Sequence, residues 1–327
     1  QINIENIEQI KASNVLKNSG FEKSRFFPKE ITKYVKQKLI NCFIINYNNT
    51  EIYFFTEFTP KNMDNKIIEI MNNICKIIFI LRKIFNNQHH LRINYFDCLL
   101  KKQFPTKKGE MLKEINCNSG LSYVGNYYMM VYRREEYKRV MIHELIHSFM
   151  GDYSLIDIEY NNKLSEYFCL KNDENININE TYTETLATII NLIFVSLETN
   201  QNLNKMFEIE LSYSILVMTS ILMYYNYKDI NELKRENKNC KLLLQQTSVF
   251  NYYIMKPFML ININGYFDLI KECSNDYKFS ELNICLDDFY KLIVKNFNNN
   301  KLKSMVNNLL KDKKIKTNNL SMVFYNK

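Results

Sequence analysis

RREEYKRVMIHELIHSFMGD, residues 133–152, contains His143-Glu144-Leu145-Ile146-His147. Read as a helix, it sets the two histidines four residues apart, one turn above the other on a single face. Two imidazoles so placed can share one metal ion, with Glu144 beside them. Met141, Ile142, Leu145 and Phe149 fall on the opposite face, which predicts an apolar, buried back. Strand formers at 126–132 precede the helix. Glu135 and Glu136 are expected in its first turn, where acidic side chains suit the helix dipole. Gly151 is expected at its C-terminal cap. The plainer reading is a buried helix whose histidines merely complete hydrogen bonds. A Glu between two histidines on one face argues for a metal instead.

Two histidines do not hold a catalytic Zn²⁺; a third protein ligand is needed. The chain has four histidines, at 89, 90, 143 and 147, and none lies downstream of the motif. Position 154, where a third histidine could complete a longer motif, is Ser. The third ligand is therefore expected to be a carboxylate on a second helix. NETYTETLAT, residues 179–188, offers Glu184, with Glu180 one turn earlier in reserve. Glu184 has another reading, as part of a capping box with Thr181. His89 and His90 are adjacent on an expected strand entry and point apart, so they do not readily share an ion.

These two motifs resemble the gluzincins, zinc peptidases with HExxH on one helix and a Glu ligand on the next. Glu184-Thr185-Leu186-Ala187 fits their Glu-x-x-Ala form. The resemblance covers about sixty residues. It implies His143, His147 and Glu184 as zinc ligands, Glu144 as general base and a polypeptide as substrate. It also implies a zincin-like fold. A donor to the developing oxyanion is common in such enzymes. With no histidine left, Tyr252 and Tyr253 are the candidates, aromatic core packing being the other reading of each. YRREEYKRVMIHELIHSFMGDYS, ETYTETLATI and SVFNYYIMKP together are similar to an uncharacterised HExxH family of large cytoplasmic DNA viruses, which implies an origin and no activity. A second functional reading is a structural or binding protein of the same fold, virion-associated and with little catalysis.

Composition sets wider bounds. A chain of 327 residues, 46% hydrophobic, can bury one large core or two smaller lobes. The net charge of +8 comes from scattered lysines, with small clusters at 101–108 and 311–316. No basic stripe or recognisable module accompanies them, so nucleic acid is not an expected partner. The eight cysteines are irregularly spaced and lack a CxxC pair, which predicts free thiols in a reducing compartment. No signal-peptide pattern opens the chain, although it starts at Gln1 without Met. The longest uncharged apolar run, 211–227, is expected to be a core helix and not a membrane span. Together these predict an intracellular, cytoplasmic or virion-associated protein.

Taken in order, the chain predicts an α+β fold. A short helix and loop occupy 1–28, and a helix 30–38. A hairpin follows, 39–47 with 51–58. A long helix at 62–86 precedes a strand at 91–99. The stretch 101–123 reads as a loop over the sheet. Strand 127–132 leads into the HExxH helix. Residues 126–130 read either as the sheet rim that aligns a substrate or as an ordinary inner strand. Residues 154–169 read as loop and partial helix. Asn-rich 172–179 reads as a loop. From there helices are expected at 180–199, 202–227, 229–237, 244–260, 264–274, 280–297 and 300–312. Residues 1–154 then form an upper lobe with a small mixed sheet, and 155–327 a helical lower lobe carrying the third ligand.

Overall fold

The computed structural model describes residues 7–17, 21–59, 61, 65–170, 176–273, 285–312 and 319–325. Parts of the expected loop at 172–179, of the helices at 62–86, 264–274 and 280–297, and of the lysine cluster at 311–316 lie outside the described residues. In chain order the strands are β1 (Glu8–Lys11), β2 (Asn41–Tyr47), β3 (Thr50–Thr56), β4 (Leu91–Phe96), β5 (Gly120–Leu121) and β6 (Tyr128–Val131). The α-helices are α1 (Ala12–Leu16), α2 (Lys29–Lys38), α3 (Asn65–Ile84), α4 (Glu114–Cys117), α5 (Tyr137–Ser148), α6 (Ile158–Tyr167), α7 (Ile178–Thr199), α8 (Leu203–Tyr224), α9 (Lys256–Leu260), α10 (Ile263–Glu272), α11 (Leu286–Phe297) and α12 (Asn300–Lys311). The fold is α+β, with one mixed sheet in the order β1-β2-β3-β4-β6-β5.

The chain divides into two compact units. The first contains residues 1–101 and 118–151, the second 102–117 and 152–325. The longer segment of the second unit begins at Asp152, and the unit also takes 102–117 out of the middle of the first.

The sheet is the frame of the first unit. β2 and β3 form an antiparallel hairpin in which Tyr47 faces Thr50. Asn48 and Asn49 both have positive φ, 47° and 55°, the conformation of a type I′ turn, which asparagine tolerates. β3, β4 and β6 run parallel, so α3 is the crossover between β3 and β4. Its apolar face is buried, and it packs against α5. Arg82, near the end of α3, is fully buried. It donates to the carbonyls of Asn87, Asn49 and His89 and to Thr50 Oγ1, at 2.8–3.0 Å. One guanidinium thereby holds the helix end, the hairpin turn and the entry to β4 together.

Several boundaries differ from the sequence reading. The N-terminal segment contributes β1, paired antiparallel with β2 and mostly exposed, where only a helix and loop were expected. The expected loop at 101–123 contains α4 and β5. β6 is an inner strand, lying between β4 and β5. The sheet edge next to it is β5, two residues long and too short to leave a periodic signal in sequence.

The second unit is mainly helical. α7 packs against α8 and α9. α8 is long and apolar enough to cross a membrane by length and composition, and 56% of its apolar window is buried. It also buries Glu210, whose carboxylate accepts the Phe324 N–H at 2.8 Å. The expected helix at 229–237 is reduced to a 3₁₀ turn, Ile230–Leu233, and the stretch 244–260 holds a π-helix, Phe250–Met255, running into α9. The expectation of free thiols fails at one pair: Cys169 and Cys240 form a disulfide with Cα atoms 6.0 Å apart. They are 71 residues apart, and the fold alone makes them neighbours.

Candidate metal centre

α5 starts later than its charge pattern suggests. Arg133 is buried and donates to the carbonyls of Asn118 and Leu100, and Arg134 Nε donates to Asp97 Oδ1 at 2.7 Å. These bonds hold residues 133 and 134 outside the helix. Glu136 is the N-cap, at φ 60°, with its carboxylate on Arg139. Glu135 and Glu136 therefore precede the first turn. The whole of α5 is buried, polar and apolar faces alike.

At the other end, Met150 has φ 61° and donates to the His147 carbonyl, while Gly151 donates to that of Ile146. This is a Schellman ending with Met150, and not Gly151, in the left-handed position. Gly151 serves a different purpose. A Cβ there would come 2.5 Å from Phe85 Cε1 and 3.0 Å from Ile146 Cγ2, so glycine is needed for close approach.

His143 and His147 lie as their spacing predicts. Their rings are T-shaped with centroids 4.7 Å apart, and their Nε2 atoms are 3.1 Å apart. Two nitrogens each about 2.0–2.1 Å from one tetrahedral zinc would lie about 3.3 Å apart. The spacing is compatible with a shared ion. Glu144 is buried between them in sequence, and its Oε2 accepts from Ser122 Oγ at 2.7 Å. Ser122 and Gly120 sit in the stretch read as loop; the Gly-Leu-Ser sequence carries no motif that would have singled them out.

α7 carries the two candidate carboxylates, Glu180 and Glu184. Its N-cap is Asn177, whose side chain makes no capping bond. Two other asparagines bond to this end of the helix. Asn161 of α6 accepts the Ile178 N–H at 2.8 Å, and Asn251 of the π-helix donates to the Asn177 carbonyl at 2.7 Å and to Thr181 Oγ1 at 3.0 Å. Because the helix begins at Ile178, Glu184 stands well inside it and cannot be a capping-box residue. Glu180 is in its first turn. His143, His147 and Glu180 form a group that could hold a metal ion. Glu184 is fully buried and lies 3.6 Å from Lys256 Nζ, itself buried. Lys256 also donates to the Met322 carbonyl.

Of the tyrosine candidates, Tyr253 is buried and donates its hydroxyl to the Leu320 carbonyl at 2.7 Å. Tyr252 is half-buried, in the π-helix. His89 and His90 are exposed, and His89 stacks on Tyr127 with ring centroids 4.7 Å apart.

No family model matches the chain, and no solved structure matches it. It is 27% identical over 184 residues to Uncharacterized protein R210 of Acanthamoeba polyphaga mimivirus. The match takes in 54% of this chain and 45% of that protein, so the chain spans less than half the length of its curated relative.

Proposed function

We propose that this chain is a zinc-dependent peptidase of zincin-like fold, acting on polypeptides. The observation that carries the reading is the His143–His147 pair, two buried imidazoles with Nε2 atoms 3.1 Å apart and Glu144 between them in sequence. His143 and His147 would hold the ion with a carboxylate of α7. Glu180 is the better supported ligand, because it groups with the histidines whereas Glu184 has Lys256 as its cation. Two nitrogens and one oxygen are a donor set that suits Zn²⁺. Bound there, zinc would supply Lewis acidity toward a carbonyl oxygen and acidify a water.

The protein's own residues do the rest. Glu144 accepts a proton as water adds to the scissile carbonyl and returns it to the leaving amine. Tyr252 and Tyr253 are the candidate hydroxyls for the developing oxyanion, and that of Tyr253 donates to the Leu320 carbonyl. The similarity to a mimivirus protein supports a viral origin.

The test is the metal content of the purified chain beside His147→Ala, Glu180→Gln and Glu184→Gln. We expect one zinc per chain, lost with His147→Ala and Glu180→Gln and kept with Glu184→Gln. Peptide hydrolysis by the wild type, abolished in Glu144→Gln with zinc retained, completes it. A wild type that binds no zinc after reconstitution overturns the reading.

A further inference from the structure

We propose that Ser122 is a positioning residue for Glu144, holding its carboxylate in one orientation beside the histidine pair. As a role in catalysis this rests on the peptidase reading above; as a structural contact it does not. Ser122 Oγ lies 2.7 Å from Glu144 Oε2 and 3.2 Å from the Glu144 carbonyl oxygen. A serine hydroxyl has one proton to give, and the shorter, charge-assisted partner is the carboxylate. A carboxylate offers about four lone-pair sites, so one hydrogen bond does not exhaust its capacity to take a proton.

The contact is built by the backbone on both sides. Gly120 pairs with Val131 and Leu121 with Met130, and the Tyr132 N–H donates to the Ser119 carbonyl at 2.8 Å. On the far side the Gly125 N–H donates to the carbonyl of His147 at 3.0 Å. The segment 119–125 is thus fastened to the sheet at one end and to the last turn of α5 at the other. Gly120 lets it lie close. A Cβ there would come 2.7 Å from Glu144 Oε1, 2.7 Å from Val140 Cγ1 and 3.0 Å from Glu144 Cγ. Glu144 therefore lies against the segment 119–125, with one oxygen on the Ser122 hydroxyl and the other close to Gly120. A long side chain held this way reaches the same place in every molecule, which is what a general base requires.

The experiment compares the wild-type chain with its Ser122→Ala and Ser122→Thr variants. The first readout is infrared spectroscopy of zinc-free protein carrying ¹³C-labelled Glu carboxylates, with the Glu144 band assigned by its absence in Glu144→Gln. We expect the band to move in Ser122→Ala and to return toward wild type in Ser122→Thr. The second readout is peptide hydrolysis by the zinc-loaded protein. We expect kcat to fall about tenfold in Ser122→Ala, with KM and zinc content unchanged and with recovery in Ser122→Thr. A Glu144 band unmoved by Ser122→Ala overturns the proposal. A band that moves in Ser122→Ala, with no hydrolysis by the wild type, upholds the contact and sinks the peptidase reading instead.

Discussion

Met150 and Gly151 show how much a single backbone position decides. A glycine after a helix is commonly read as its left-handed cap, yet here the left-handed residue is Met150. Gly151 is glycine because Phe85 and Ile146 leave no room for a Cβ. The two positions should respond with opposite signs. Gly151→Ala should cost about 1–3 kcal/mol by overpacking. Met150→Gly should be neutral or raise stability by up to about 1 kcal/mol, because glycine adopts a positive φ without strain and Met150 is half exposed. Urea denaturation of both variants checks this; a destabilised Met150→Gly beside an unchanged Gly151→Ala would refute it. The thiols make a second residue-level case. Burial pushes Cys42 and Cys75 up to about 12 and Cys98 up to about 11. The folded chain then holds these protons more tightly than the unfolded chain, whose thiols titrate near about 8.5. Their stabilisation is complete below that value and is lost as pH rises through 11 and 12. The urea midpoint should fall steadily above about pH 8.5. At pH 8 an alkylating reagent should label exposed Cys285 well before Cys42, Cys75 or Cys98.

Elements with a strong local code were legible from sequence. The α5 motif, the β2–β3 hairpin and long apolar α3 carry their periods and turn residues within a few neighbours. Elements defined by distant partners were not. β5 exists because β6 pairs with it at two residues, and β1 because β2 offers an edge. The N-terminus of α7 shows the same limit inside the candidate site. A capping box at Thr181 would start the helix there, but it starts at Ile178, whose N–H Asn161 accepts, while Asn251, 74 residues from Asn177, donates to the Asn177 carbonyl. Glu180 stands in the first turn of α7 and Glu184 one turn later, buried against Lys256. Asn251→Ala should therefore cost about 1–3 kcal/mol, because it removes a buried donor from the Asn177 carbonyl and Thr181. It should also weaken zinc binding if Glu180 is the ligand. Competitive titration with a chelating dye tests this, and an affinity unchanged in a clearly destabilised variant would separate the cap from the metal.

On the scale of the molecule, the second unit is closed by links of long sequence separation. Residues 319–325 thread among its helices: the carbonyls of Leu320, Ser321 and Met322 accept from Tyr253, Tyr213 and Lys256, and the Phe324 N–H donates to Glu210. The disulfide is the covalent counterpart. Cys169 and Cys240 enclose α7 and α8, a loop of 71 residues, and on the chain-entropy account closing it restricts the unfolded state by about 4 kcal/mol. Its neighbourhood does not depend on it alone. Arg235 donates to the carbonyls of Ser165 and Leu170, and Cys169 N–H to that of Leu233, so the same ends are fastened without sulfur. Reduction should consequently lower the urea midpoint without abolishing the fold. Cys240→Ser should show the lowered midpoint already and no further response to dithiothreitol. Far-ultraviolet circular dichroism in native buffer should be the same for oxidised, reduced and Cys240→Ser protein. A reduced chain that loses its helical signal would mean that the disulfide, and not the polar links around it, holds α7 and its carboxylates in place.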